Sequence, residues 1–253
     1  MYLDVHAHFA DEGYDIPEER KKIASAGVKR VILAGDTVPH SASHCETARI
    51  CPEIYFTAGV HPSETAGFDE GTLRAIEEMG KEEKCVAIGE IGLDYHYPDT
   101  DKAAQRRAFS AQLELAHKLR LPVQIHSRDC AEDMLAMLTE YRELLKDGFL
   151  LHCYSHSEEM MDSFAALGGY FSFGGVVTFR NAKKAVACAA HCPPDRILTE
   201  TDSPYLSPFR GEKNTPANIP VILERLAQIR GEREETLQER IWNNAFALFG
   251  KLR

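Results

Sequence analysis

Six histidine and carboxylate residues are spaced along the chain in a pattern that could hold metal ions. They are His6, His8, Glu90, His126, His152 and Asp202. Because side chains repeat every two residues along a strand, the two imidazoles of the His-x-His pair would point to the same side. Imidazole and carboxylate groups bind zinc, and carboxylates also suit magnesium and manganese. The set therefore predicts a centre for divalent cations.

The carboxylate of Glu90 has two oxygens and could bridge two cations. His126 and His152 would then complete the second site, and Asp202 would complete the first. Two cations about 3.5–4 Å apart can activate a shared water molecule and hold the oxyanion that forms on phosphorus or carbon. Four neutral histidines and two carboxylates against two dications leave a local surplus of about +2, which suits an anionic phosphate. We therefore expect two divalent ions, zinc, magnesium or manganese, and a hydrolytic reaction.

The elements that must position these residues alternate between short apolar runs and helical patterns. The runs are YLDVH, VKRVILAG, IYFTAGV, CVAIGE, PVQIH, GFLLHC, YFSFGG and RILTETD, and a helical pattern follows each. Continuous apolar runs are typical of parallel strands buried on both faces, in a closed barrel or a doubly wound sheet. The chain lacks a GxGxxG after the first run and a Walker loop, so the nucleotide-binding versions of the open sheet lose their usual support.

We therefore predict a fold of class α/β, a single (β/α)8 barrel that forms one domain over residues 1–253. All six candidate ligands fall at C-terminal strand ends, the rim where such barrels carry their active sites. A single buried histidine is usually a hydrogen-bonded core residue, but six such residues on five strand ends favour a functional site.

Three more residues near the predicted rim could contact a substrate. His61, in GVHP after the third strand, could touch substrate or pack. The guanidinium of Arg128 could clamp a phosphate, or it could pair with Asp129 or Glu132. Glu200 shares a strand face with the last candidate ligand and could orient a substrate or a ligand.

Other polar residues have less specific interpretations. Asp94 and Tyr95, after GEIGL, could support the ligands or form a lid. The segment 203–218 has the composition of a long surface loop, in which Arg210, Lys213 and Asn214 could bind phosphates or be solvated. Surface or packing roles are expected for the remaining histidines, which fall in predicted helices or loops: His40, His44, His96, His117, His156 and His191.

The composition limits the function classes. The formal net charge is −10 over 253 residues, so the chain lacks the overall basic field that extended duplex binding requires, and contact with nucleic acid must be local. No stretch approaches the ~20 apolar residues of a membrane span, and no targeting segment is expected. We therefore expect a cytoplasmic protein with no membrane partner; the oligomeric state stays open, with a monomer as the simpler expectation.

Seven cysteines without a CxxC pair fit a reducing compartment better than a disulfide framework. Cys188 and Cys192 stand four residues apart on a predicted helix, beside His191, and could nucleate a zinc site. Small buried thiols are common in helices, and that role is the one we expect here.

The ordered motifs of the chain resemble the TatD-related metal-dependent hydrolases of the amidohydrolase-like barrels. The motifs are DVHAHF, GVHP, GEIGLDYHY, PVQIHSRD, LHCYSHS, YFSFGGVVTFRNA, ETDSPYLSP with RGEKNTP, and NNAFALF. The resemblance spans nearly the whole chain. The chain departs from the family pattern at Ser63, where some relatives carry a second histidine, and at His156, where many carry glycine. Both positions are expected near the mouth of the site, so they could change which substrate is bound.

The resemblance implies the same two-metal site, with Glu90 shared between the ions. It also implies that Asp202 orients and deprotonates the attacking water, so Asp202 and Glu90 are the expected catalytic residues. Members of the family look like deoxyribonucleases, often acting from a 3′ end, and some are described as deacylases of D-aminoacyl-tRNA. The ligands are common to both reactions.

Three hypotheses follow. The first is a deoxyribonuclease of the 3′-exonuclease type, with DNA ends or another phosphate-bearing molecule as its partner. The second is a deacylase of D-aminoacyl-tRNA, or another ester or amide hydrolase, on the same site. The third is a metal-binding barrel without catalysis. The complete ligand sets argue against it, because structural zinc sites are usually closed clusters with several thiolates.

Overall fold

The computed structural model of the protein describes residues 1–10 and 13–252. Eight parallel strands follow one another in ring order. They are β1 (Tyr2–Ala7), β2 (Val28–Leu33), β3 (Ile54–Ala58), β4 (Cys85–Asp94), β5 (Val123–Arg128), β6 (Phe149–Leu151), β7 (Gly169–Phe173) and β8 (Ile197–Thr199).

Helices lie between the strands and after the last one. They are α1 (Ile16–Ser25), α2 (Val38–Ile50), α3 (Glu70–Gly80), α4 (Lys102–Leu119), α5 (Ala131–Glu140), α6 (Glu158–Ala166), α7 (Lys183–His191), α8 (Ile219–Arg230) and α9 (Glu234–Leu248). Local chemistry sets their starts: the Asp69 carboxylate accepts a hydrogen bond from the amide of Thr72 at the start of α3, and Asp101 does the same for Ala104 in α4.

The ring closes where β8 returns to β1. Ala7 bridges to Ser203 in parallel, and the amide of Asp202 donates to the carbonyl of His6 at 2.9 Å. All residues of β3, β4, β6, β7 and β8 are buried, as expected of parallel strands covered on both faces. The (β/α)8 barrel is confirmed, and the doubly wound alternative is excluded by this closure.

The fourth strand is longer than its apolar run predicts. It continues past Glu90 to Asp94, which pairs in register with Arg128 of β5. This pairing determines the partner of Arg128 described below. Among the described helices, none has both the length and the apolar character needed to cross a membrane.

Candidate metal centre

The barrel brings the six predicted ligands together at its C-terminal mouth. His6 lies in β1, Glu90 in β4 and His126 in β5, while His8, His152 and Asp202 lie just beyond the ends of β1, β6 and β8. Strand pairing shifts register between Asp4 and Ala7 and between Ile88 and Ile91, on either side of a ligand. Such irregularities re-aim side chains next to active sites.

The first group of facing atoms contains His6, His8, Glu90 and Asp202. Nε2 of His6 lies 2.9 Å from Nε2 of His8 and 3.4 Å from Oε2 of Glu90. Oδ1 of Asp202 is 3.6 Å from both of these imidazole nitrogens. Tetrahedral ligands at the bond lengths of zinc are separated by about 3.4 Å. The spacing of this group therefore fits a single cation.

The second group uses the other oxygen of Glu90. Oε1 lies 2.7 Å from both Nδ1 of His126 and Nε2 of His152, and these two nitrogens are 3.3 Å apart. Nε2 of His61 is 3.6 Å from the same oxygen. His152 also lies close to the first group, since its ring stacks on that of His6 at 3.9 Å. The two groups are therefore adjacent and share the Glu90 carboxylate.

Neighbouring hydrogen bonds fix which imidazole nitrogen faces the centre. The amide nitrogen of Gln124 donates to the carbonyl of Val5 at 2.7 Å, so its oxygen is the atom 3.0 Å from Nδ1 of His6. Nδ1 of His6 must then donate, which leaves the lone pair on Nε2 for the centre. In the same way Nε2 of His126 donates to the carboxylate of Asp94 at 3.2 Å, leaving Nδ1 for the centre.

The electrostatics of the cluster also favour cations. Although burial opposes ionisation of Glu90, the histidines around it hold its pKa well below the usual value. Burial likewise opposes protonation of His152, yet the pKa of this imidazole is raised well above its usual value by Glu90 and Glu200. The ionised Glu90 carboxylate thus favours positive charge beside it, and the donors of the cluster are those of zinc and related ions. The residues present therefore fit divalent cations.

The predicted substrate residue His61 points toward the same centre. Its Nδ1 accepts a hydrogen bond from the amide of Ser63 at 3.1 Å. A neutral imidazole has one donor and one acceptor nitrogen, so Nε2 carries the hydrogen and faces Glu90 as a donor. Burial lowers the pKa of His61 to about 3, in keeping with the neutral form. This arrangement suits a donor to substrate better than a metal ligand.

The alternative ion-pair partners predicted for Arg128 are wrong. Its Nε donates to Oδ1 of Asp94 at 3.0 Å and its Nη2 lies 2.8 Å from Oδ2, because register places the two residues side by side on β4 and β5. Asp129 instead lies 2.9 Å from Nδ1 of His96. A guanidinium has five N–H donors, and Arg128 lines the cavity, so it can still bind an anion.

Glu200, the third predicted substrate residue, is fully buried. It accepts hydrogen bonds from the amide of Cys153 at 2.8 Å and the hydroxyl of Ser172 at 2.5 Å. The same carboxylate lies 3.8 Å from Nδ1 of His152. The strand pattern left two roles open for Glu200. These contacts favour orientation of a metal ligand, and not direct contact with substrate.

A cavity of about 500 Å³ opens above both ligand groups. Asp36 and His40 line it and lie 2.6 Å apart, although the sequence predicts a surface or packing role for this histidine. Asp36 comes shortly after β2, and that position at a strand end could have revealed its place at the mouth.

The packing role is correct for buried His44, which accepts from the amides of Phe9 and Ala10 at 3.2 and 3.0 Å.

Two further expectations concern residues away from the ligands. Asn214 neither binds phosphate nor is solvated: it is fully buried and donates to the carbonyls of Thr201 and Tyr205. Cys188 and Cys192 are buried thiols, and exposed His191 lies 2.7 Å from Asp162 instead of facing them. The packing role expected for these cysteines thus matches their burial.

Comparison with known proteins supports the resemblance seen in the motifs. The family model described as TatD related DNase matches residues 3–250. YabD of Bacillus subtilis (strain 168), an uncharacterized metal-dependent hydrolase, is 36% identical, with 98% of this chain and 99% of YabD covered. The 3′-5′ ssDNA/RNA exonuclease TatD of Escherichia fergusonii is 35% identical, with 89% of each chain covered.

A solved structure agrees with the sequence comparisons. The crystal structure of the TatD homolog YJJV from Escherichia coli K12 superposes with a TM-score of 0.92 at 27% identity, and 98% of each chain is covered. The described groups of histidine and carboxylate residues that could hold a metal ion lie at the mouth of this shared barrel. The chain therefore belongs to the TatD related DNase family and is a metal-dependent hydrolase.

Proposed function

We propose that the protein is a phosphodiesterase that removes nucleotides from the 3′ end of DNA. The observation that carries this proposal is the carboxylate of Glu90, whose two oxygens face two adjacent groups of histidines at the floor of a cavity that Arg128 and His61 also line. The 3′-5′ ssDNA/RNA exonuclease named among the relatives is consistent with such a substrate.

The chain's own residues would hold two divalent cations. His6, His8, Glu90 and Asp202 would bind the first ion, and Glu90, His126 and His152 would bind the second. When bound, the two ions would polarise the phosphate and lower the pKa of the attacking water. Gln124 and Asp94 would keep His6 and His126 in the tautomers that leave a lone pair for each ion.

Asp202 is the residue that would position the water and accept its proton. Its carboxylate lies at the cavity surface, with a side chain 15% exposed. Although burial raises its pKa, the neighbouring histidines hold that pKa below the usual value, so the group is ionised at neutral pH. An ionised carboxylate within reach of the water can act as the general base, and the proton can pass from it to the leaving oxygen.

Two donors would engage the phosphate itself. The Nε2–H of His61 lies 3.6 Å from Oε1 of Glu90, on the side of the second ligand group, where it would donate to a phosphate oxygen. Arg128 would supply charge from the same side, held at a fixed position by Asp94. Local positive charge of this kind explains how an acidic chain could accept a nucleic acid end without a basic stripe.

Turnover of single-stranded DNA labelled at its 3′ nucleotide tests the proposal. The metal-stripped protein would be refilled separately with Mg²⁺, Mn²⁺ and Zn²⁺, and compared with His126→Ala and with a strand labelled at its 5′ end. We expect metal-dependent release of the labelled 3′ mononucleotide and late release of the 5′ label. D-aminoacyl-tRNA serves as the second substrate: deacylation with intact DNA would refute the nuclease and favour an ester hydrolase.

A further inference from the structure

The exposed aromatic residues of the described chain gather at one end of the barrel. Tyr97 is 57% exposed, Tyr205 54% and Phe209 44%, and all three lie on segments that follow the C-terminal ends of β4 and β8. The two large aliphatic residues with comparable exposure, Met1 and Ile50, precede β1 and β3 at the opposite end. Exposed aromatic surface is thus concentrated around the mouth that holds the ligand groups.

The two tyrosines approach the mouth from opposite sides. In a ring ordered β1 to β8, the fourth and eighth strands are directly across from each other. Tyr205 lines the cavity, and its ring centroid lies 6.3 Å from that of His8 in the first ligand group. Tyr97 lies beside the cavity-lining guanidinium of Arg128, whose Cζ is 5.3 Å from the ring centroid. The ligand groups therefore lie between the two rings.

The backbone of Tyr205 and the guanidinium beside Tyr97 are both held by hydrogen bonds of the protein itself. The amide of Tyr205 donates to the carbonyl of Asp202 at 2.8 Å, and its carbonyl accepts from the buried amide of Asn214 at 2.8 Å. On the other side, Arg128 is fixed by its two contacts with Asp94 and so provides a rigid neighbour for Tyr97. A fixed backbone and a fixed neighbour reduce the conformational entropy that each side chain loses on binding.

We infer that Tyr97 and Tyr205 stack on the nucleobases on either side of the phosphate that is cleaved, so that the site selects an unpaired strand. This inference rests on the proposed nuclease function. A chain of net charge −10 cannot draw its affinity from many phosphate contacts, whereas aromatic stacking is independent of salt bridges and tolerates every base. A duplex keeps its bases in its own stack, so it cannot cover both rings.

Binding measured without cleavage tests the inference. Fluorescence anisotropy would follow a short phosphorothioate single strand of thymidines, a strand of the same length with abasic sites at its 3′ end, and a blunt duplex. The proteins are wild type, Tyr97→Ala, Tyr205→Ala, the ring-retaining Tyr97→Phe and Tyr205→Phe, and Ile50→Ala as an exposed hydrophobic control at the far end of the barrel.

We expect each tyrosine-to-alanine change to weaken binding of the thymidine strand by about 5- to 160-fold, the range for loss of one stacked base. The phenylalanine variants and Ile50→Ala should bind like wild type. The abasic strand and the duplex should bind weakly to every protein, with little difference among variants.

Unchanged binding of the thymidine strand by both alanine variants would overturn the inference. An equal loss for the abasic strand would also overturn it, because the tyrosines would then act through the backbone or the fold. Hydrolysis is measured separately. Binding that depends on the tyrosines without release of any nucleotide would refute only the nuclease function. Cleavage of DNA together with normal binding by both alanine variants would refute only the stacking.

Discussion

Asp94 accepts a hydrogen bond from Nε2 of His126 at 3.2 Å, and this contact directs the other imidazole nitrogen toward Glu90. Burial raises the pKa of Asp94, but the hydrogen bonds from His126 and Arg128 outweigh it and hold the pKa below the usual value of the group. An ionised carboxylate at this position fixes the tautomer of the imidazole and increases its basicity. Asp94 is therefore a positioning residue for the second ligand group.

Replacing Asp94 by asparagine should weaken metal binding at the second site. Loss of such a supporting carboxylate typically costs about 10- to 100-fold in metal affinity. Isothermal titration of the metal-stripped variant with Zn²⁺ or Mn²⁺ measures the effect, with Asp129→Asn as the control, since that carboxylate contacts only exposed His96 among the interactions described for it. Equal affinities in wild type and Asp94→Asn would contradict the positioning role.

His61 should act on the substrate and not on the metal content. We expect His61→Ala to lower kcat by about 100-fold, the cost of losing one preorganised donor to a developing negative charge. Metal analysis of the same variant should give the wild-type content, because Nε2 of His61 is the protonated nitrogen. A fall in bound metal would show instead that the imidazole is a ligand.

The stability of the barrel should depend on an ionised Glu232 next to α8. Nε of Arg230 donates to it at 2.9 Å, and the same guanidinium donates to the carbonyls of Ala189 and Cys192. Burial raises the pKa of Glu232, but Arg230 and Arg240 outweigh it and hold the pKa below its usual value. The carboxylate therefore stabilises the fold above the unfolded pKa, and this contribution disappears as pH falls through the folded pKa.

Glu232→Gln should accordingly lower the free energy of unfolding by about 1.5–3 kcal/mol at pH 7, the range for hydrogen bonds to charged groups. The difference from wild type should shrink as the pH falls below about 4.5, where the unfolded carboxyl becomes protonated. Urea denaturation at several pH values measures it, with the exposed Glu235→Gln as control. A difference that stays constant down to pH 3 would show that the charge of Glu232 is irrelevant.

The sequence predicts the ligands better than the residues that support them. Candidate ligands at strand ends must meet at the mouth of a parallel barrel, so their positions follow from the order of the strands. The partner of Arg128 does not follow, because Asp94 is 34 residues away and adjacent only through the β4–β5 register. The supporting role of Gln124 could have been predicted, since this residue lies two residues before His126 on the same face of β5.

Loop residues show the same limit. Asn214 stands in a polar segment whose composition indicates solvation, yet its amide is buried because it supplies donors to the carbonyls of Thr201 and Tyr205. Hydrogen-bond partners of this kind depend on how a loop folds back on the strand before it. Neither hydrophobic period nor turn chemistry contains that information.

The number of metal ions bound per chain is the most direct measurement, because the proposed hydrolysis depends on two cation sites that share Glu90. Metal analysis of protein loaded with Zn²⁺ or Mn²⁺ and then desalted would compare wild type with His8→Ala, His126→Ala and Glu90→Gln, each checked for folding by circular dichroism. We predict two ions in wild type, one in each histidine variant and close to none in Glu90→Gln. A single ion in wild type, or a Glu90→Gln variant that keeps both, would contradict the shared two-metal centre.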